Sequence, residues 1–361
     1  MRCRGHVHDH AQPAAGGPRP FPPPDPGNAP MSRRVLTHKR IENRMREPFR
    51  IAGYQFDSMP SVVASIEQDG VAGRGEAAGV YYLHDDPAHM AAEIERVRDA
   101  IEAGAGRAEL QELLPPGGAR NALDCALWDL EARLTGQPVW RIAGLDAARP
   151  LVTTFTLPAD TPEEILDRLA GFPPVEAIKL KLDGDLPADI ARMRAVRRAR
   201  PDVWLGVDAN QGYSAESFEA LAAALVEAGV ALLEQPVRRG EEAQLDGWRC
   251  PIPVAADESI LDCVELDRHR HRFDVVNIKL DKCGGLTEAL RMVDLARRIG
   301  VRLMVGNMAG SSLAMAPAFV VGQYCEIVDL DGAWFLSEDT VAAAMYDAGT
   351  CRVPQGFWGG L

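Results

Sequence analysis

Ala177-Ile-Lys179-Leu-Lys181-Leu182 is followed by Trp204-Leu-Gly-Val-Asp208-Ala-Asn210, Ala231-Leu-Leu-Glu234-Gln-Pro236, Val254-Ala-Ala-Asp257-Glu258-Ser259 and Val275-Val-Asn277-Ile-Lys279-Leu280. Each is a short apolar run that ends in a charged residue. The charged ends recur roughly every 22 to 27 residues, the period of a strand-helix unit in a parallel α/β barrel. In such a barrel every strand opens its C-terminal end onto one face, so these charges converge. Three carboxylates gathered there make a site for a hard cation. Two lysines beside that cation make proton-transfer groups.

The pattern extends in both directions. Leu151-Val-Thr-Thr-Phe-Thr-Leu157 supplies a strand before it, and Arg302-Leu-Met-Val-Gly-Asn307 and Tyr324-Cys-Glu-Ile-Val-Asp-Leu-Asp331 supply two after it, for a count of eight. Helical windows fall between strands at Pro187–Arg198, Ser214–Ala228 and Thr287–Ile299. The expected fold is α/β, a TIM-type (β/α) barrel over residues 147–332, with an α+β capping domain at 34–146 and a C-terminal segment, 333–361, that returns to the cap. Within the cap, Val62-Val-Ala-Ser-Ile-Glu67 alternates as a strand, Asp69-Gly70 marks a hairpin turn, and Gly73 to Tyr82 runs from strand into a glycine-rich loop. Asp86-Pro87 predicts a helix through about Ala103, and Asn121–Leu134 a second one closed by Gly136. Residues 1–33 are rich in Pro, Gly and Ala and bury too little apolar surface to offset chain entropy, so they are expected to be disordered. Met31 offers an alternative start, and His6, His8 and His10 read as an incidental cluster in that tail.

Composition narrows the class. At 361 residues, 47% hydrophobic and 25% charged, the chain is an ordinary soluble globular one. A net charge of -13 and a pI near 5.2 argue against nucleic acid or an anionic membrane as partner. The seven cysteines are odd in number and lack CxxC spacing, which fits thiols in a reducing cytoplasm. No apolar run approaches the roughly 18 residues of a membrane span, and no apolar signal segment opens the chain. A small molecule is the expected partner, and a homo-oligomer stays open.

Asp208, Glu234 and Asp257 each follow three or more apolar residues, as strand-end residues do. One such carboxylate reads as a solvated loop start. Three at matching places on consecutive strands do not, because crowded like charges are costly unless a cation neutralises them. Oxygen ligands without histidine favour Mg²⁺ over Zn²⁺. Lys179 and Lys181 alternate across one strand and share a face, while Lys279 lies on the sixth strand, across the barrel. Lys282, beyond that strand's end, is the lesser candidate. A cation and a lysine lower each other's proton affinity, which helps a lysine act as a base near neutral pH. A divalent cation with a base on either face suits removal of a proton α to a carboxylate and its return to the opposite face, which is racemisation or epimerisation.

These residues resemble the enolase superfamily, muconate-cycloisomerase-like subgroup. The resemblance runs from about Arg34 to Asp331 and includes Ala119-Arg-Asn-Ala-Leu-Asp-Cys-Ala-Leu-Trp-Asp-Leu-Glu131. It implies that Lys181 and Lys279 are the acid/base pair, that Asp208, Glu234 and Asp257 bind Mg²⁺, and that Lys179 contacts substrate. The mandelate-racemase-like branch uses an Asp-His dyad on strands six and seven, where this chain has Lys279 and Asn307. Asp329-Leu330-Asp331 resembles the pair with which dipeptide epimerases bind a free α-amino group. The resemblance therefore implies a dipeptide epimerase, with an N-acylamino-acid racemase or cycloisomerase as the rival on the same frame and a non-catalytic relative as the rival outside it. Two places depart from the pattern. Gly310 in Met308-Ala-Gly-Ser-Ser312 stands where relatives often carry Glu. Tyr54 aligns where the L-Ala-D/L-Glu epimerases carry an arginine for the glutamate side chain. The latter argues against an acidic second residue. With Tyr81, Tyr82, His84, Asp85 and Asp86 nearby, it points to an apolar or cationic one.

Overall fold

The computed structural model describes residues 33–51, 54–339 and 345–360. The N-terminal tail, with its histidines and Met31, lies outside them. Strands β1 (Val35–Ile51), β2 (Tyr54–Gln68) and β3 (Val71–Ala77) form an antiparallel sheet in that order. The β2–β3 turn takes Asp69 and Gly70 to φ 55° and 76°, the left-handed pair that a tight hairpin requires. Helices α1 (Pro87–Arg96), α2 (Arg98–Glu102), α3 (Arg107–Leu113) and α4 (Gly118–Thr135) cover one face. The helix expected through Ala103 is two helices. The chain bends at Val97 (φ -105°, ψ 4°), which brings both Val97 and Ile101 into the cap's core. Helix α4 lies almost flush on β3. A Cβ at Gly73 would sit 2.2 Å from Ala126 O, and one at Gly75 2.2 Å from Ala122 O. Only glycine permits that approach.

Short α5 (Val139–Ile142) and β4 (Leu151–Val152) lead into the barrel. Its strands are β5 (Thr154–Leu157), β6 (Ala177–Lys181), β7 (Trp204–Asp208), β8 (Leu232–Glu234), β9 (Val254–Ala256), β10 (Val275–Ile278), β11 (Arg302–Val305) and β12 (Ile327–Val328), paired in sequence order as one eight-stranded sheet. All these pairings are parallel. The outer helices are α6 (Pro162–Gly171), α7 (Leu186–Ala199), α8 (Phe218–Glu227), α9 (Cys263–His269), α10 (Leu280–Cys283), α11 (Leu286–Ile299) and α12 (Ser312–Gly322).

The eighth strand is shorter than the apolar run Tyr324–Asp331 suggests. Its join to β5 is made by side chains. Thr153 Oγ1 accepts from Leu330 N at 2.9 Å, Thr154 Oγ1 donates to Asp329 Oδ1 at 2.6 Å, and Thr156 N donates to Asp331 Oδ2 at 2.7 Å. Beyond the barrel, β13 (Tyr346–Asp347) and β14 (Thr350–Cys351) pair with β4. The last residues reach the cap, where Trp358 Nε1 donates to Arg74 O at 2.8 Å and Gly359 N to Asp129 Oδ1 at 2.7 Å. No helix among the described residues is long and apolar enough to cross a membrane.

Candidate active site

Register assembles the site. Lys181 on β6 lies opposite Asp208 on β7, which lies opposite Glu234 on β8. Asp257 follows β9 by one residue, and Lys279 follows β10 by one. Asp208, Glu234 and Asp257 are buried, and one oxygen from each falls within 4.8 Å of the others. This is the only group of its kind among the described residues. Backbone strain collects at the same rim: Asn210, Gln211 and Gln235 hold φ of 43°, 68° and 39°, values that residues other than glycine adopt at a cost and mainly at functional sites.

The lysines interleave with the acids. Lys179 Nζ lies 2.8 Å from Glu234 Oε2, 3.2 Å from Asp208 Oδ2 and 2.8 Å from Asp329 Oδ2. Lys181 Nζ is 2.6 Å from Asp208 Oδ2, and Lys279 Nζ is 2.6 Å from Asp257 Oδ2. Burial alone would lower the pKa of Lys179 and of Lys279. The surrounding carboxylates outweigh it and hold both above the usual lysine range, led by Asp329 for Lys179 and by Asp257 for Lys279. The converse holds for the acids. Against burial, Lys181 and Lys179 hold Asp208 at about 2, and Lys279 and Lys282 hold Asp257 lower still. Glu234 is raised, by burial first and by Asp208 next. Its Oε2 stands at ion-pair distance from Lys179 yet accepts no hydrogen bond among the described residues. A buried carboxylate oxygen left so is costly, and a cation shared with Asp208 and Asp257 would satisfy it.

Several supporting residues escaped the sequence reading. Asn277 Nδ2 donates to Glu234 Oε1 at 2.8 Å and fixes that carboxylate. The alternation that paired Lys179 with Lys181 also pairs Asn277 with Lys279, so the signal was present. Gln235 Oε1 accepts from the backbone of Asp257 at 3.0 Å and of Ser259 at 3.2 Å, tying the ends of β8 and β9 together. Lys282 has a structural task. Its Nζ is buried and donates to Asp257 Oδ1 at 2.7 Å, Asn277 O at 3.0 Å and Ile260 O at 3.1 Å.

Asp329 and Asp331 stand where the barrel closes, both buried. Asp329 already grips an ammonium, that of Lys179, at 2.8 Å. Asp331 is pushed up to about 7 by burial and by Asp329 beside it. Over the mouth, the cap presents rings. Phe56 meets Tyr81 edge-on at 5.2 Å between centroids, and Tyr81 meets Tyr82 at the same distance. Tyr54 begins β2, and its side chain lies outside what the structure describes. The neighbouring acids accept from backbone amides. Asp85 accepts from Gly118 N at 2.7 Å, and Asp86 caps α1 through Ala88 N and His89 N. Gly310 is crowded: a Cβ there would lie 2.9 Å from that of Ala314 and 3.4 Å from Glu76 Oε1.

The sequence agrees with known families across this geometry. Residues 35–144 match the mandelate racemase / muconate lactonizing enzyme N-terminal domain, and residues 163–357 match the enolase C-terminal domain-like family. The L-Ala-D/L-Glu epimerase of Escherichia coli strain K12 is 38% identical over 307 residues, 84% of this chain and 95% of that protein. A crystal structure of an enolase family member from Agrobacterium tumefaciens, with homology to dipeptide epimerases and with bound sodium and L-Ala-L-Glu, superposes with TM-score 0.85 at 35% identity over 90% of this chain and all (100%) of that one. The dipeptide epimerase of Methylococcus capsulatus, complexed with Mg and L-Arg-D-Lys, does so with TM-score 0.82 at 28% identity over 90% of this chain and 98% of that one. Cap, barrel and converging strand ends are thus one family's architecture, and this chain belongs to the mandelate racemase / muconate lactonizing enzyme family of the enolase superfamily.

Proposed function

We propose that the chain is a Mg²⁺-dependent dipeptide epimerase, moving a proton from one face to the other of the α-carbon of a dipeptide's C-terminal residue. One observation carries this reading: Lys181 and Lys279, four strands apart in an eight-stranded barrel, reach the same carboxylate cluster from opposite sides. Asp208, Glu234 and Asp257 are the ligand set, and their all-oxygen donors suit Mg²⁺. Bound there, Mg²⁺ supplies positive charge for the negative charge that builds on the substrate carboxylate as the α-proton leaves. Lys181 takes or returns the proton on one face and Lys279 on the other. Lys179 is a contact for the substrate carboxylate. Mg-bound dipeptide epimerases among the structural relatives support the metal and the substrate class.

Asp329 and Asp331 are the proposed site for the dipeptide's free ammonium, since Asp329 holds such a group now. N-acylamino acids have no ammonium to offer it. Asp329→Asn and Asp331→Asn are expected to raise KM for dipeptides by about one to two decades, the worth of a charge-assisted hydrogen bond. Free and N-acetylated dipeptides, compared by deuterium incorporation at the α-carbon in D₂O, test the assignment. Equal turnover of both would move it to an acylamino-acid racemase, and no exchange with either would make the chain a binder.

The side chain of the inverted residue meets the cap. Asp85 and Asp86 are turned to backbone amides at helix starts, and the wall of Phe56, Tyr81 and Tyr82 is the surface offered beside them. An apolar or aromatic side chain packs there, whereas a carboxylate finds no positive charge on those three rings and is desolvated at a cost of kcal/mol order. We expect kcat/KM for L-Ala-L-Phe or L-Ala-L-Leu to exceed that for L-Ala-L-Glu by about tenfold or more, the factor for roughly 1.4 kcal/mol. A preference for L-Ala-L-Glu would show that another residue brings positive charge. A preference for L-Ala-L-Lys would bring in Glu258, whose buried Oε2 has no hydrogen-bond partner among the described residues.

A further inference from the structure

We infer that the capping domain holds Lys279, and not Lys181, in its working position, through a clamp on the turn that follows β10. The inference rests on the two-base reading above. The turn is α10 and the glycine pair behind it, Gly284 at φ 80° and Gly285 at φ 114°. Lys279 is the residue from which this turn starts. Cap residues seize it at two places and the first turn of α11 behind it at a third. Asp281 Oδ1 accepts from Ala78 N at 2.9 Å and from Gly79 N at 3.0 Å, both on the loop that leads to Tyr81 and Tyr82. Arg120 Nη2 donates to Cys283 O at 2.6 Å and its Nε to Gly284 O at 3.2 Å. Asp124 Oδ2 accepts from Thr287 N at 2.9 Å, and Trp128 Nε1 donates to Thr287 Oγ1 at 2.9 Å.

The clamp is built and not incidental. Arg120, Asp124 and Asp281 are buried, and the guanidinium spends its bonds on neutral carbonyls. Such burial is tolerated only where the geometry is fixed. The glycine pair is shaped to it: a Cβ at Gly284 would lie 2.3 Å from Arg120 Nε, and one at Gly285 2.6 Å from Asp124 Cβ. The turn after Lys181 is fastened differently. Leu182 N donates to Asp208 O at 2.8 Å, Gly184 N to Asp189 Oδ2 at 3.1 Å, and Arg192 Nη2 to Asp183 Oδ2 at 2.8 Å, all within the barrel. The turn after Lys279 is thus held by the cap in addition to Lys282, which ties it to Asp257, Ile260 and Asn277 of the barrel, whereas the bonds that fasten the turn after Lys181 come from the barrel. Asp281, Arg120 and Asp124 are positioning residues for one face of the substrate only.

The readout is α-proton exchange in D₂O, measured separately from the L,L and L,D forms of the fastest dipeptide in the panel above. Lys279→Ala identifies the form from which Lys279 takes the proton. Asp281→Ala is expected to slow exchange from that form by about tenfold to a hundredfold, the penalty for a base displaced by about an ångström. Exchange from the other form should stay within about twofold of wild type. Asp281→Asn keeps an acceptor oxygen for the two loop amides and should restore most of the loss. Arg120→Lys, which keeps the charge but loses the fork, should give the same asymmetry in smaller measure, and serves if Asp281→Ala does not fold. Equal slowing from both forms in Asp281→Ala and Arg120→Lys would overturn the clamp. Equal slowing in Lys279→Ala would instead overturn the two-base reading on which it stands.

Discussion

Lys181→Ala and Lys279→Ala are each expected to abolish epimerisation, by about 10² to 10⁴-fold or more, the usual contribution of a positioned acid or base, while leaving the fold intact. Inversion needs a proton taken from one face and another delivered to the opposite face. A variant that keeps one lysine can still wash deuterium into one diastereomer without forming the other. The lysines differ from most buried cations in what surrounds them. Each sits within 2.6 Å of a carboxylate of the proposed metal site, so replacing it removes one of the two lysines paired with that buried acid and leaves Lys179 on Asp208 or Lys282 on Asp257. Melting temperature should accordingly be compared with Mg²⁺ present, when the acids have another partner. Wild-type turnover in a folded double variant would remove both lysines from the mechanism.

Chelation is the second large effect. Exhaustive EDTA treatment followed by dialysis should eliminate turnover, and Mg²⁺ should restore it. A readout free of catalysis accompanies this. A ligand that binds only the folded chain stabilises it by about 2.7 kcal/mol at a hundred times its Kd, so the melting temperature should rise with added Mg²⁺. Asp208→Asn, Glu234→Gln and Asp257→Asn should each diminish that rise. Full activity after chelation, or a melting temperature indifferent to Mg²⁺ in the wild type and in these variants alike, rules out the metal role.

Much of this architecture was legible in the chain because a barrel strand is short, apolar and closed by a charge. Ala177–Lys181 and Trp204–Asp208 read as strands on that ground, and the recurrence of the pattern supplied the fold. The alternation Lys179-Leu-Lys181 placed both lysines on one face, where they lie. What stayed hidden depends on partners far away in sequence. Strand β1 reads as His38-Lys-Arg-Ile-Glu-Asn-Arg44, with too few apolar residues to announce a strand, because it is the edge of the cap sheet and one face meets solvent. The run of α4 from Arg120 to Trp128 reads as an amphipathic helix. Nothing local says that its polar residues grip a turn at residues 283–287. Asp85 and Asp86 stand beside the tyrosines in sequence, and only the structure shows that they accept from the backbone amides of Gly118, Ala88 and His89.

The join between β12 and β5 has a consequence of its own. Between every other neighbouring pair of barrel strands the ladder is peptide to peptide, and exchanging one side chain for another, proline apart, leaves its donors and acceptors in place. Here Thr153, Thr154, Asp329 and Asp331 carry the join in their side chains, so the ring has a clasp that point mutation can loosen or tighten. The same two aspartates face the dipeptide's amino end in the reading above. Selection for a different amino end therefore acts on the clasp as well, and ring closure and ligand choice cannot drift apart at that position.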